Sequence, residues 1–137
     1  MKYLLDTNLL SEAIKPKPHS GVLARLQDPD LKLATAAVVW LELRQGFERL
    51  PTGRRKTIVG EYLHGLRGSN LQILDYTEAC AELQAQFSAA LTRQGRPVPL
   101  VDAMIASTAL VYNLTLVTRN RSDFEAIPNL RLEDWFD

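Results

Sequence analysis

Short apolar runs alternate along the chain with longer segments of helical periodicity. In the longer segments, apolar residues recur every three or four positions, most regularly at Cys80, Leu83, Phe87 and Leu91. Four runs have the length and composition of buried strands: residues 2–5 (KYLL), 31–35 (LKLAT), 71–74 (LQIL) and 115–118 (TLVT). This alternation predicts a three-layer α/β domain with a mostly parallel sheet flanked by helices.

The boundaries of the remaining elements follow from capping and breaking residues. A brief fifth strand is predicted near Arg131 and Leu132 at a sheet edge, with Trp135 and Phe136 docking the tail. We therefore expect four to five strands in one domain that spans residues 1–137. The predicted helices are a short one after Asp6, residues 20–27, Ala37–Leu50, one with the apolar stripe Ile58 to Leu66, one that starts near Thr77, and one with Pro99 as its first residue that runs to Asn113.

Composition narrows the class of protein. Hydrophobic residues make up 46% and charged residues 23% of the 137 residues, which is typical of a globular domain. Lys+Arg and Asp+Glu balance at 16 each, so any surface that binds nucleic acid has to be local. The single cysteine, Cys80, excludes an internal disulfide. No segment reads as a signal peptide or membrane span, so we expect a cytoplasmic protein.

Three acidic residues interrupt the apolar pattern. Asp6 follows the first strand directly, at the end where ligands collect in parallel sheets. Glu42 shares its helix face with packing residues, and Asp102 lies in a helix that is apolar almost all round. A buried carboxylate would take up a proton unless a cation or strong hydrogen-bond donors kept it ionised.

Each of these acids also has a purely structural explanation. Asp6 could cap the helix that follows it, and the helix dipole would favour Asp102 in a first turn. Glu42 could pair with an arginine. The polar segment from Thr118 to Asp123 could be a turn that opens a short helix, with Thr118 as its N-cap. These explanations weaken together, because a strand end and two helices each bring an acid towards what could be one point.

Four segments in order resemble the motifs of PIN-domain nucleases, specifically the VapC-type toxins of bacterial toxin–antitoxin modules. The segments are LLDTN, VVWLELRQG, VPLVDAMIASTAL and LVTRNRSDF, and the resemblance covers essentially the whole chain. It implies a strand order of 3-2-1-4-5, which sets the first and fourth strands side by side. It also implies a Mg²⁺-dependent endoribonuclease, with Mn²⁺ as an alternative ion, that cleaves cellular RNA and is neutralised by a cognate antitoxin.

The resemblance assigns roles to individual residues. Asp6, Glu42 and Asp102 match the family's acidic catalytic triad. Asp6 and Asp102 would bind the metal ion, and Glu42 would either bind it or orient the attacking water. The family often has an acid where this chain has Asn120, so the fourth position could be filled by Asp123, by Asn120 through water, or by neither. The residues expected to position phosphate or to support the ligands are Asn8, Thr118 and Asn120.

Basic residues near the proposed active end are candidates for RNA contact. A cluster of acids repels RNA unless basic side chains surround it. His19 and His64 have no partner at a spacing that would bind metal, so a histidine-based mechanism is not expected. The candidates for RNA contact are Lys15, Lys17, Arg96, Arg119 and Arg121.

The resemblance also implies partners. A homodimer is expected, with a higher toxin–antitoxin assembly that binds DNA through the antitoxin and no membrane association. A groove between two helices would receive an antitoxin segment. Two alternatives stay open: a PIN-type nuclease of RNA processing or acting on DNA, and a catalytically inactive interaction module, which the three intact acids disfavour. The groove would be lined by Trp40, Leu43 and Phe47 on one helix and by Ile58, Tyr62 and Leu66 on the next.

Overall fold

The computed structural model describes residues 2–136, which form one five-stranded parallel sheet with six α-helices. The strands are β1 (Tyr3–Leu5), β2 (Leu33–Ala36), β3 (Gln72–Leu74), β4 (Thr115–Val117) and β5 (Leu132–Glu133). The helices are α1 (Thr7–Glu12), α2 (Ser20–Leu26), α3 (Ala37–Arg49), α4 (Arg54–Arg67), α5 (Glu78–Arg93) and α6 (Leu100–Val111), and a 3₁₀ turn spans Arg121–Asp123. The predicted strands are all present, each within two residues of its predicted bounds.

The order of strands in the sheet is β3-β2-β1-β4-β5, as predicted. Every neighbouring pair is parallel, and Leu5 at the end of β1 is in register with Thr35 on β2 and Val117 on β4. The direction in which successive strands are added reverses between β1 and β4. Ligands bind at such a switch point in open parallel sheets, because the loops diverge there and leave a crevice.

The helices cover both faces of the sheet, which confirms the three-layer prediction. Right-handed connections place α1 to α4 on one face and α5 with α6 on the other. The contacts agree, since α1 packs on α2 and α3, α3 packs on α4, and α5 packs along α6. Strand residues such as Leu4, Leu5 and Leu116 are fully buried between the layers. In addition α3 touches α6, so the helices that carry Glu42 and Asp102 meet.

Two details of the last helix differ from the prediction. Pro99 is the N-cap of α6 and not its first residue, because its ψ of 147° is extended. The helix ends at Val111, two residues early, and Asn113 adopts a left-handed φ of 57°, which asparagine tolerates after a helix end. The tail docks as predicted, with Trp135 buried edge-on against Tyr3. None of the helices in residues 2–136 has the length and apolarity to cross a membrane.

Candidate active site

Asp6 stands at the switch point, held by donors from both neighbouring loops. Its backbone N–H donates to Val117 O (3.0 Å), which continues the pairing of β1 with β4. Asp6 Oδ1 accepts from the Thr7 N–H (2.7 Å) and Oδ2 accepts from Thr118 Oγ1 (2.8 Å). Asp6 is therefore the N-cap of α1, and the capping explanation is correct as far as it goes. The Thr118 hydroxyl, from 112 residues away, is not part of any cap.

Thr7 joins Asp6 to the second acid. Its Oγ1 donates to Glu42 Oε1 at 2.6 Å, which fixes the carboxylate of α3 beside the start of α1. Glu42 forms no ion pair with any residue in the described chain, so the arginine-pairing explanation is wrong. Sequence reasoning missed this role of Thr7. The signal available was a hydroxyl residue directly after the first motif acid.

Asp102 lies half-buried in the first turn of α6, where the negative charges of the other acids act on it. Burial, the largest cause, and the charges of Asp6, Asp123 and Glu42 together raise its pKa to about 6. Burial also raises the pKa of Asp6, opposed by the Thr118 and Thr7 hydrogen bonds and assisted by Glu42 and Asp123. These four residues are called the carboxylate cluster below.

The fourth motif contributes a buried hydroxyl and an exposed acid. Thr118 is not the N-cap of the 3₁₀ turn, the structural alternative that the sequence left open, because its hydroxyl donates to Asp6 and accepts from the Asn120 N–H (3.1 Å), and Asn120 takes the capping position. Asp123, not Asn120, supplies the fourth charge. Asn8 bridges the loops: its Nδ2 lies 3.5 Å from Asp6 Oδ2, and its Oδ1 accepts from the Arg119 N–H (3.2 Å).

The basic candidates fall into two groups. Arg119 reaches the site through its backbone contact with Asn8, and Lys15 lies at the end of α1, with its Nζ 3.0 Å from Glu12 Oε1. The other three are exposed, and no side-chain hydrogen bond or ion pair links them to the cluster within residues 2–136: Lys17, Arg96 and Arg121.

The two histidines differ in their surroundings. His19 is half-buried and not a surface residue, because its Nδ1 accepts from the Val22 N–H (3.1 Å) as the N-cap of α2. His64 is exposed on α4.

The carboxylate cluster has the donor type for a hard divalent cation, since Mg²⁺ and Mn²⁺ prefer carboxylate oxygens. The mutual effects on pKa show that the four charges lie within electrostatic reach of one another. However, no three His, Cys, Asp or Glu side chains anywhere in the described part of the chain are placed to hold a metal ion. The carboxylates would have to reorient to share one ion.

Comparisons with known proteins define the family. Residues 3–130 match the model of the PIN domain. A tRNA(fMet)-specific endonuclease VapC from Shigella flexneri is 38% identical over 135 residues, covering 98% of each chain. Toxin FitB from Neisseria gonorrhoeae is 32% identical over 137 residues, covering 98% of this chain and 99% of FitB.

A solved structure extends this likeness to three dimensions. The VapBC2 complex from Rickettsia felis, bound to a promoter DNA fragment, contains a chain with a TM-score of 0.84 and 31% identity, covering 98% of this chain and 99% of that one. The chain belongs to the PIN-domain family, in its VapC-type branch.

The Thr118 hydrogen bond can be tested against a matched control. Thr118→Val should destabilise the metal-free protein by about 1.5–3 kcal/mol near pH 7, because a charge-assisted bond to Asp6 is lost. The loss should shrink as the pH falls through the pKa of Asp6, since this bond favours the ionised form. Thr35→Val removes an equally buried hydroxyl that donates to Leu5 O (2.7 Å), and should cost about 0.5–1.5 kcal/mol at every pH. Urea unfolding measures both. Equal losses with the same pH dependence would show that Asp6 is not held as an anion.

Proposed function

We propose that this VapC-type protein is a divalent-metal-dependent endoribonuclease that acts as the toxin of a toxin–antitoxin system. The observation that carries the proposal is the carboxylate cluster at the switch point. There the negative charges of Glu42 and Asp123 raise the pKa of both Asp6 and Asp102, and the charge of Asp6 also raises that of Asp102. A structural acid is stabilised by its surroundings, whereas burial and like charges raise the pKa of Asp6 and Asp102. An inactive interaction module would have no need for such crowding.

The hydrogen bonds orient the acids for binding a cation and water. Within residues 2–136, Asp6 Oδ1 accepts from the Thr7 N–H alone, which leaves a lone pair for a metal ion, and Oδ2 accepts from the Thr118 hydroxyl with Asn8 Nδ2 at 3.5 Å. Thr7 engages Glu42 Oε1, so Oε2 is free to accept a hydrogen bond from an attacking water. Asp102, with a pKa of about 6, is mostly ionised near neutral pH and would be the second carboxylate ligand.

A divalent ion held by Asp6 and Asp102 would polarise the scissile phosphate and lower the pKa of a bound water. We favour Mg²⁺, with Mn²⁺ as the alternative. Glu42 or Asp123 would complete the ligand set, and Asn8 and Asn120, which contact Asp6 and Thr118, would position phosphate oxygens.

The substrate class follows from the relatives. The Shigella flexneri protein is named for cleavage of tRNA(fMet), so structured RNA with tRNA first is the substrate to test. No global basic field draws RNA to this neutral chain, so recognition has to come from side chains beside the site.

Cleavage should depend on both the metal ion and the acids. Purified protein is expected to cut a panel of tRNAs with Mg²⁺ or Mn²⁺ and to stop in EDTA. Asp6→Asn and Asp102→Asn should each lower the rate by more than about 100-fold, because each removes a carboxylate ligand. Asp30→Asn, an exposed aspartate in the loop before β2, is the matched control and should leave the rate unchanged. Gel analysis of the RNA measures the rates. Full activity of either cluster variant would contradict the assignment.

An apolar groove on the face of α1 to α4 is the proposed antitoxin site. It has a volume of about 770 Å³ and lies between α2 and α4. Tyr62 and Leu66 line it as predicted, but Trp40, Leu43, Phe47 and Ile58 do not, so the groove lies on the other side of α4 from the predicted one. An apolar helix of the antitoxin fits such a groove. The Rickettsia felis relative was solved as a VapBC2 complex bound to promoter DNA. We also expect a homodimer in solution and DNA binding through the antitoxin.

The groove can be tested by charge insertion. Leu66→Arg should weaken or abolish co-purification with a cognate antitoxin, because a charge would be buried in the groove. Leu41→Arg, at a leucine of α3 that is 51% exposed and outside the groove, is the control and should co-purify normally. Both variants should keep their helical circular dichroism and their nuclease activity. Unimpaired co-purification of Leu66→Arg would place the antitoxin elsewhere.

A further inference from the structure

Arg119, directly after the buried Thr118, is held by an aromatic ring from the end of the chain. Its guanidinium carbon lies 4.5 Å from the ring centroid of Phe136. Its backbone N–H donates to Asn8 Oδ1, and Asn8 in turn approaches Asp6. The backbone of Arg119 is therefore held next to the carboxylate cluster, and Phe136 sets the position of its guanidinium.

Phe136 is itself fixed from several sides. Its backbone N–H donates to Asp134 Oδ1 (2.8 Å), and the preceding Trp135 is 3% exposed. The Phe136 ring also packs edge-on against His19, with ring centroids 5.5 Å apart. Glu12 Oε2 holds the His19 backbone N–H at 2.8 Å. These contacts hold the Phe136 ring in place beside Arg119.

Arg119 differs from the other stacked arginines in having no acidic partner. Arg44 over Phe47 pairs with Glu48 at 3.2 Å, and Arg25 over Trp135 approaches Glu133 at 4.0 Å. Within residues 2–136, Arg119 forms no ion pair.

The charge of Arg119 acts on Glu12, but both oxygens of that carboxylate have nearer partners. Oε2 accepts from the His19 N–H, and Oε1 lies 3.0 Å from Lys15 Nζ. The pKa of Glu12 is lowered first by the His19 N–H and then by Lys15, with Arg119 a smaller influence. The N–H donors of Arg119 are therefore available to a ligand.

We infer that Arg119 binds a phosphate in an unpaired, single-stranded segment of the RNA, next to the scissile phosphate, and that Phe136 is the positioning residue for its guanidinium; this rests on the proposed function. The Phe136 ring supports the guanidinium, and within residues 2–136 no hydrogen bond uses its fork of side-chain N–H donors. Such a fork matches two oxygens of a phosphate. A polyanion that approaches four carboxylates needs a fixed positive charge beside them, and a stacked arginine loses little freedom on binding.

Binding of RNA without cleavage tests this directly. In the full-length Asp102→Asn protein, fluorescence anisotropy with a labelled single-stranded RNA gives Kd over a series of salt concentrations. Arg119→Gln should weaken binding about 3- to 10-fold and reduce the slope of log K against log salt by about 0.7, the value for one phosphate contact on a single strand. Arg44→Gln, the stacked but paired arginine, should change neither quantity.

A double-mutant cycle tests the positioning role of Phe136. Phe136→Leu should weaken binding about 2- to 5-fold alone and have no effect once Arg119 is glutamine, because it acts through that side chain. Phe136→Tyr retains the ring and should bind as the parent does, which guards against a folding defect in the leucine variant.

Three outcomes would contradict the inference in whole or in part. Unchanged Kd and salt slope in Arg119→Gln would overturn it, even if the same substitution weakened binding of the antitoxin. A full, additive loss from Phe136→Leu in the glutamine background would overturn the positioning role. If the parent protein binds no RNA and the wild type cuts none with Mg²⁺, the proposed function itself fails, and this inference fails with it.

Discussion

Four carboxylates crowded at one sheet edge are the constraint on which the rest of the structure depends. Burial and the charges of the neighbouring acids raise the pKa of Asp6 and Asp102, so the fold has to supply compensation where β1 and β4 end. It does so with the Thr118 hydroxyl and the N-terminus of α1 for Asp6, and with the N-terminus of α6 for Asp102. This compensation is partial, because the pKa of Asp6 and that of Asp102 both stay raised. A bound cation would supply the remaining stabilisation of the ionised carboxylates.

How far the sequence predicts this arrangement depends on the range of the interactions. Strands and helices follow from local periodicity, and strand order from the resemblance, so the meeting of Asp6, Glu42 and Asp102 was predictable even though their roles remain predictions. The Thr7–Glu42 bond joins residues 35 positions apart, and the contact of Arg119 with Phe136 joins two distant loops. Such contacts depend on packing that no local pattern encodes, which is why the hydrogen bond from Thr118 to Asp6 could not be derived from the sequence.

The proposed catalytic edge and the proposed antitoxin groove are connected through the first turns of the chain. Leu5 and Leu10 line the groove, whereas Asp6 and Thr7 between them belong to the site. Tyr62 of α4 donates its hydroxyl to Leu10 O, which ties the groove wall to α1. A partner seated in the groove would therefore contact the chain on both sides of Asp6 and Thr7.

The central claim, that the carboxylates are strained until a cation joins them, is tested most directly by the stability of Asp102→Asn. The folded-state pKa of Asp102, about 6, exceeds its ordinary value of 3.8, so its favourable contribution is complete below about pH 4 and is lost as pH rises through 6. Near pH 7 the ionised group then costs about 1–2 kcal/mol, allowing for partial solvent access. In EDTA, Asp102→Asn should melt at or above the wild-type temperature, with Asp30→Asn unchanged. Mg²⁺ at about ten times its Kd should stabilise wild type by about 1.4 kcal/mol and the variant by much less. A clearly destabilised Asp102→Asn in EDTA, with no Mg²⁺ shift in wild type, would contradict the account.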